Sequence, residues 1–194
     1  MMQSVSLSAP TPNIRYTASV WAAPNGESML KDLSIFEMSA KANPAYYRFA
    51  AIKAWVDGEN NCPTGFMYEP YVGIQDTDPP GGKITLVTNQ QLANQLSKLA
   101  NQNQKMSMLH CSGDAAANIG LNAYELLSKN QSSNTIKRIE HFGMFQLTPE
   151  QLKRGVALKE NHCHLSSQPI WLLELVNADY ENYGDCKSKN WISI

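Results

Sequence analysis

The stretch Met106–Gly120, MSMLHCSGDAAANIG, sets an apolar run against a Ser-Gly-Asp turn, with one histidine, His110, at the junction. The run is short enough for a buried strand, and the alanine-rich segment after the turn has helical character from about Ala115 to Lys129. A strand that passes through a tight turn into a helix is the unit of a parallel α/β fold. The question is whether the same unit recurs on either side.

It recurs downstream. Ile136 to His141 gives a strand that closes on a second histidine and Gly143. Thr148-Pro149-Glu150 then supplies a capping residue, proline at the first helical position and an early acid, opening the helix TPEQLKRGVALKE. A last short strand is expected within HCHLSSQP, after which residues 170–194 show no clear pattern. Upstream, FAAIKAWV (Phe49 to Val56) is almost continuously apolar, as a strand buried on both faces must be, and Asp57-Gly58 ends it. NIRYTASVW from Asn13 alternates as a strand, and Ser28 caps an expected helix through MLKDLSIFEMSAK. Residues 59–87, which carry Pro63, Gly65, Pro70, Gly73, Pro79, Pro80, Gly81 and Gly82, read as an inserted loop of the kind that lines binding sites. Thr88 caps a further helix, NQQLANQLSKLANQ, with Leu92, Leu96 and Leu99 on one face.

The expected order is β-α-β-loop-α-β-α-β-α-β within one domain, 1–194, whose repeating units occupy 13–169. Its period of roughly 30 to 40 residues is that of an eight-stranded α/β barrel. Five strands cannot close such a barrel. The fold expected is therefore α/β with parallel strands and crossover helices, as an open sheet or as part of a barrel.

Composition sets limits on function. With 43% hydrophobic and 17% charged residues the chain is ordinary for a folded domain. Its 16 basic and 17 acidic residues balance, which argues against nucleic acid or an anionic membrane as partner. No apolar run is long enough to span a bilayer, and MMQSVSLSAPTPN has neither the basic nor the apolar region of a signal peptide. Cys62, Cys111, Cys163 and Cys186 are scattered without a CxxC pair, so reduced thiols and a cytoplasmic location are expected.

In parallel α/β folds the chemistry sits where strands end. His110 and His141 each close a strand, and imidazoles from successive strands can converge on one ion. Each histidine alone could equally be a strand-end side chain bonded to backbone. Lys53 is a costly charge inside its strand unless it is paired, snorkels or is modified. Asp114 could accept the second ring N–H of a liganding His110, or simply cap the following helix. His162-Cys163-His164 has the alternation of an HxH metal pair, but it opens its strand, at the face where active sites do not lie.

LHCSGDAA, RIEHFG, TPEQLKR and SSQP, in this order, resemble the amidohydrolase superfamily, and within it amidohydrolase family 3, which includes N-substituted formamide deformylases. AAIKAWVDG resembles the family strand in which a lysine precedes Asp-Gly. The resemblance runs from about Ile14 to Pro169. It implies a metal-dependent (β/α)8 barrel of which this chain looks like strands 3 to 7. It further implies hydrolysis of a C–N amide-type bond in a small substrate, with a divalent ion, zinc by expectation. Lys53, His110 and His141 would then be metal ligands, Lys53 through a carboxylated amine, with Asp114 and Glu140 behind them. The family's HxH pair and its strand-eight aspartate are not found in this chain. Hence the isolated chain is expected to be catalytically incomplete, and to associate with the missing barrel segments or with itself through its open sheet edges. The competing expectation is a non-catalytic binding or structural half-barrel.

Overall fold

The computed structural model describes residues 15–21, 37, 38, 41, 43–58, 64–69, 71, 90–102, 104–130, 134–143, 147–168 and 170. Five strands and three helices follow one another in these segments. They are β1 (Tyr16–Trp21), β2 (Tyr47–Trp55), α1 (Gln90–Gln102), β3 (Met106–His110), α2 (Asp114–Asn130), β4 (Lys137–Glu140), α3 (Pro149–Ala157) and β5 (Cys163–Ser166). A 3-10 turn, Leu158–Asn161, joins α3 to β5. All four strand pairings are parallel and the sheet order is β1-β2-β3-β4-β5. This is the expected succession of strands and crossover helices, a parallel α/β sheet with the geometry of a partial barrel. Most of the helix expected after Ser28, the Thr88 cap, most of the 59–87 loop and the tail from Trp171 lie outside the described residues.

Alternation decides which strand residues meet the helices. Ile52, Ala54 and Val56, Leu109 and Cys111, and Ile139 pack into one core with Ala93 and Ala100 of α1 and with Ala116, Ala117, Leu121 and Tyr124 of α2. Small residues on both helices let them lie close to the strands, and to each other. The opposite face carries Lys53 and Trp55, Met108 and His110, Arg138 and Glu140. The unbroken apolar look of FAAIKAWV has a specific cause. The β1–β2 register shifts between Ala18 and Ser19, opposite Phe49 and Ala51, leaving Ala50 as an extra residue. Such a bulge changes the phase of alternation, so Phe49 and Ile52 both reach the core.

Two helix starts are tied together where the strands end. Thr148 accepts a hydrogen bond from the Gln151 amide (3.2 Å) while the Gln151 side chain accepts one from the Thr148 amide (2.9 Å), completing a capping box. The same Gln151 side chain donates to the Asp114 carbonyl at 2.6 Å. On the outer side Arg154 of α3 spends its guanidinium on Glu125, Asn118 and Asn122 of α2.

Candidate functional site

The ends of β2, β3 and β4 bring the candidate groups together by register. Trp55 pairs with His110, and His110 with Glu140. Residues in register on parallel strands share a face, so these three stand side by side on the side away from the helices. His141 is one position beyond this row, and an extended backbone would turn it to the opposite face. Its φ of +64° instead places it in the left-handed region. There its ring comes back against His110, with centroids 4.3 Å apart and planes tilted by 56°. The two histidines meet because the second has left its strand: β4 ends at Glu140, not at His141 as the sequence suggested.

His110 is 1% exposed. The indole of Trp55 stacks on one face of its ring at 4.2 Å, within 5° of parallel. Its Nε2 lies 2.9 Å from the Gly58 carbonyl and 3.1 Å from the Ser112 hydroxyl. A carbonyl only accepts, so Nε2 carries the proton and donates it to Gly58. Nδ1 then keeps a lone pair, and that atom is buried with no hydrogen-bond partner among the described residues. Burial first, then the neighbouring His141, pushes the His110 pKa down to about 3, with the Lys53 charge acting in the same direction. A neutral imidazole with a buried, unspent lone pair is what a metal ligand requires.

Asp57 holds the surrounding loops. It is fully buried and accepts backbone N–H bonds from Phe66 (3.0 Å), Ser112 (2.9 Å) and Gly113 (2.7 Å). Its Oδ1 is 3.8 Å from His110 Nε2. Burial raises its pKa to about 7, although the backbone donors pull the other way. The close approach it enforces explains two glycines. A Cβ on Gly113 would strike the Phe66 backbone, and one on Gly58 would strike the Thr64 side chain. The sequence presented Asp57 only as the stop of β2. A lone aspartate following an apolar strand was the available signal.

Around His141, the Gln168 Oε1 lies 2.8 Å from Nδ1, and the Gln168 amide donates to Ser166 Oγ at 3.2 Å. Arg138 sits beside Glu140, with Nε 2.9 Å from Oε1, and also reaches Ser166 Oγ at 3.4 Å. Lys53 is half-buried, and burial lowers its pKa against the opposing pull of Glu140. A lower pKa enlarges the neutral amine fraction, the form that can be carboxylated. Glu140 is thus paired with Arg138 and acts electrostatically on Lys53.

The remaining candidates fall elsewhere. The Asp114 Oδ1 accepts from the Tyr68 amide (2.9 Å) and from Ala115 (2.7 Å), at the first turn of α2. The His110 N–H goes to Gly58, so no hydrogen bond joins it to Asp114. His162 is outside β5. It caps the 3-10 turn in the left-handed region, and both it and His164 are exposed at the start of the strand. Among the described residues no three His, Cys, Asp or Glu side chains group closely enough to hold an ion. A cavity of about 610 Å³ opens at the strand starts, between Arg48, Asn101, Lys105 and Asn134, with no histidine or carboxylate in its lining. Cys111 and Cys163 are free thiols, both buried. No helix among the described residues is long and apolar enough to cross a membrane.

No protein-family model matches the chain, and no curated protein does. Two solved structures are similar in fold. An uncharacterized metal-dependent hydrolase from Pyrococcus furiosus superposes over 88% of this chain with a TM-score of 0.60 and 21% identity. An uncharacterized metal-dependent hydrolase from Pyrococcus horikoshii OT3 superposes over 90% with a TM-score of 0.58 and 18% identity. The chain spans only 37% and 36% of those two proteins. In those two proteins the matching part belongs to a larger chain.

Proposed function

We propose that this chain carries one wall of the metal site of a hydrolase acting on C–N amide-type bonds, as its resemblance to the amidohydrolases implies. The observation that carries the reading is the buried, unpartnered Nδ1 of His110, beside a second imidazole at the ends of adjacent parallel strands. The two fold neighbours are named metal-dependent hydrolases, which supports the metal-dependent hydrolase part of the reading. A divalent ion, zinc by preference, supplies acidification of water and polarisation of a carbonyl.

The chain's own residues fit that group. His110 offers Nδ1 because Gly58 holds its other nitrogen. His141 is folded back to offer its ring from the neighbouring strand end. Lys53, once its amine is carboxylated, would add oxygen ligands from the same face, and Glu140 with Arg138 would set the charge around it. Trp55 walls the histidine side and keeps water from the ring face. The ligands that would complete the site belong to other barrel strands, so the isolated chain is proposed to bind metal weakly and to be inactive. Its partner would be the rest of a barrel, or a second copy.

Zinc titration by calorimetry tests this. Weak binding, abolished in both His110→Ala and His141→Ala, is the expected result. Affinity indifferent to both substitutions, or no binding at millimolar zinc, would overturn the reading.

A further inference from the structure

Gln168 lies two residues past the end of β5 and is half-buried. Its side chain makes two contacts of opposite sense: Oε1 meets His141 Nδ1 at 2.8 Å, and Nε2 donates to Ser166 Oγ at 3.2 Å. Ser166 Oγ also receives Arg138 Nη2 at 3.4 Å, and Arg138 is in turn held by Glu140. The amide is thus braced from behind by a group fixed to two strands.

An imidazole on a left-handed backbone can still rotate about its side-chain bonds, and it can carry its proton on either nitrogen. The amide oxygen removes both freedoms, because it accepts and cannot donate. It holds the ring by Nδ1, requires the proton to be there, and leaves the lone pair on Nε2. In water a neutral histidine favours the opposite form, with the proton on Nε2. His110 is fixed in that opposite form by Gly58. The adjacent imidazoles therefore offer different nitrogens, Nδ1 from His110 and Nε2 from His141.

We infer that Gln168 is a positioning residue that imposes the Nδ1–H tautomer on His141 and so selects the nitrogen it presents. The consequence for metal affinity rests on the function proposed above; the tautomer itself does not. Outer hydrogen-bond partners of this kind fix ring orientation and raise ligand basicity.

The test uses the whole chain, free of metal and labelled with ¹⁵N-histidine, at about pH 8, where an exposed histidine is neutral. Long-range ¹H–¹⁵N correlation reads the tautomer of each ring, and His141→Gln identifies its signals. The expected result is Nδ1–H at His141 and Nε2–H at His110. Gln168→Leu should convert His141 to Nε2–H with His110 unchanged, which also shows that the fold is intact. Gln168→Glu, which keeps an acceptor, should restore Nδ1–H. Titration with cobalt(II), followed by its visible absorbance, should weaken about 10- to 100-fold in Gln168→Leu and recover in Gln168→Glu. Nε2–H at His141 in the unmodified chain, or an unchanged tautomer in Gln168→Leu, would overturn the inference. An Nδ1–H signal in a chain that binds no cobalt would instead overturn the metal reading and leave the tautomer lock standing.

Discussion

The two ends of the sheet hold the same kinds of side chain and put them to opposite uses. Where the strands end, His110 and His141 converge with Lys53 and Asp57 nearby. Where they begin, His162 and His164 point into solvent, and Lys137, 1% exposed, donates to the carbonyls of Thr135 (3.2 Å) and Asn161 (2.9 Å). The difference lies in which backbone groups each end leaves over. Strand ends lead into the turns that precede helices, where N–H groups lack ladder partners, so a carboxylate such as Asp57 is served by Ser112 and Gly113. Strand starts face the carbonyl ends of helical turns, so an ammonium finds acceptors, as Lys137 does at the end of the 3-10 turn. Residue type alone therefore does not mark a site; the polarity of the surrounding backbone does.

The largest effect that could break this comparison is a pair of opposed pH dependences at the strand ends. Asp57 moves from an ordinary 3.8 up to about 7 on folding, and His110 from 6.5 down to about 3. A raised folded pKa gives stability that is present below the unfolded value and lost as pH rises through the folded one. Asp57 therefore contributes less as pH climbs from about 4 to 7. A lowered folded pKa gives the reverse, so the His110 contribution is full above 6.5 and lost as pH falls toward 3. The two slopes nearly cancel between about pH 4 and 6.5. Asp57→Asn should expose rising stability with pH, by up to about 1.4 kcal/mol per unit, and His110→Asn a falling one. Urea unfolding at stepped pH reads both. Slopes of the same sign in the two variants would remove the proposed opposition.

The lysines give the next test. Lys137→Met strips two carbonyls of their donor and should cost about 1–3 kcal/mol. Lys53→Met removes a half-buried charge and leaves Glu140 paired with Arg138, so it should change stability by less than about 1 kcal/mol. Denaturation midpoints in which Lys53→Met is the more damaging would reverse the assignment of structural and functional lysine. The smallest effect is expected at the exposed histidines. His162→Ala and His164→Ala should each stay within about 0.5 kcal/mol of the parent and leave zinc binding unaltered. A zinc defect in either would move the site to the other end of the sheet.

Much of the fold was legible because its signals are local. FAAIKAWV and MSMLH carry the apolar content of buried strands, and KRIE, with Ile139 alone apolar, was legible from its place before His141 and Gly143. Thr148-Pro149-Glu150 carries its own cap, and Asp114-Ala115-Ala116 needed only a turn before it. What escaped depends on contacts across long stretches of sequence. Asp57 gains its role from amides at Ser112 and Gly113, more than fifty positions away. Gln168 gains its role from a ring 27 positions earlier. The pairing of His110 with His141 was expected from their similar places, yet the register aligns His110 with Glu140. Only the left-handed turn at His141, which no apolar pattern encodes, brings the imidazoles together.

That turn also has an evolutionary reading. An L-residue in the left-handed region costs roughly 1–2 kcal/mol, which glycine escapes and asparagine partly escapes. Both His141 and His162 bear this cost. At position 162 a change to glycine would gain stability and give up only an exposed ring. At position 141 the same gain would sacrifice one of the two converging imidazoles. Drift in a lineage without need of the site runs toward glycine or asparagine at both places; in a lineage that uses it, drift runs toward them at 162 alone.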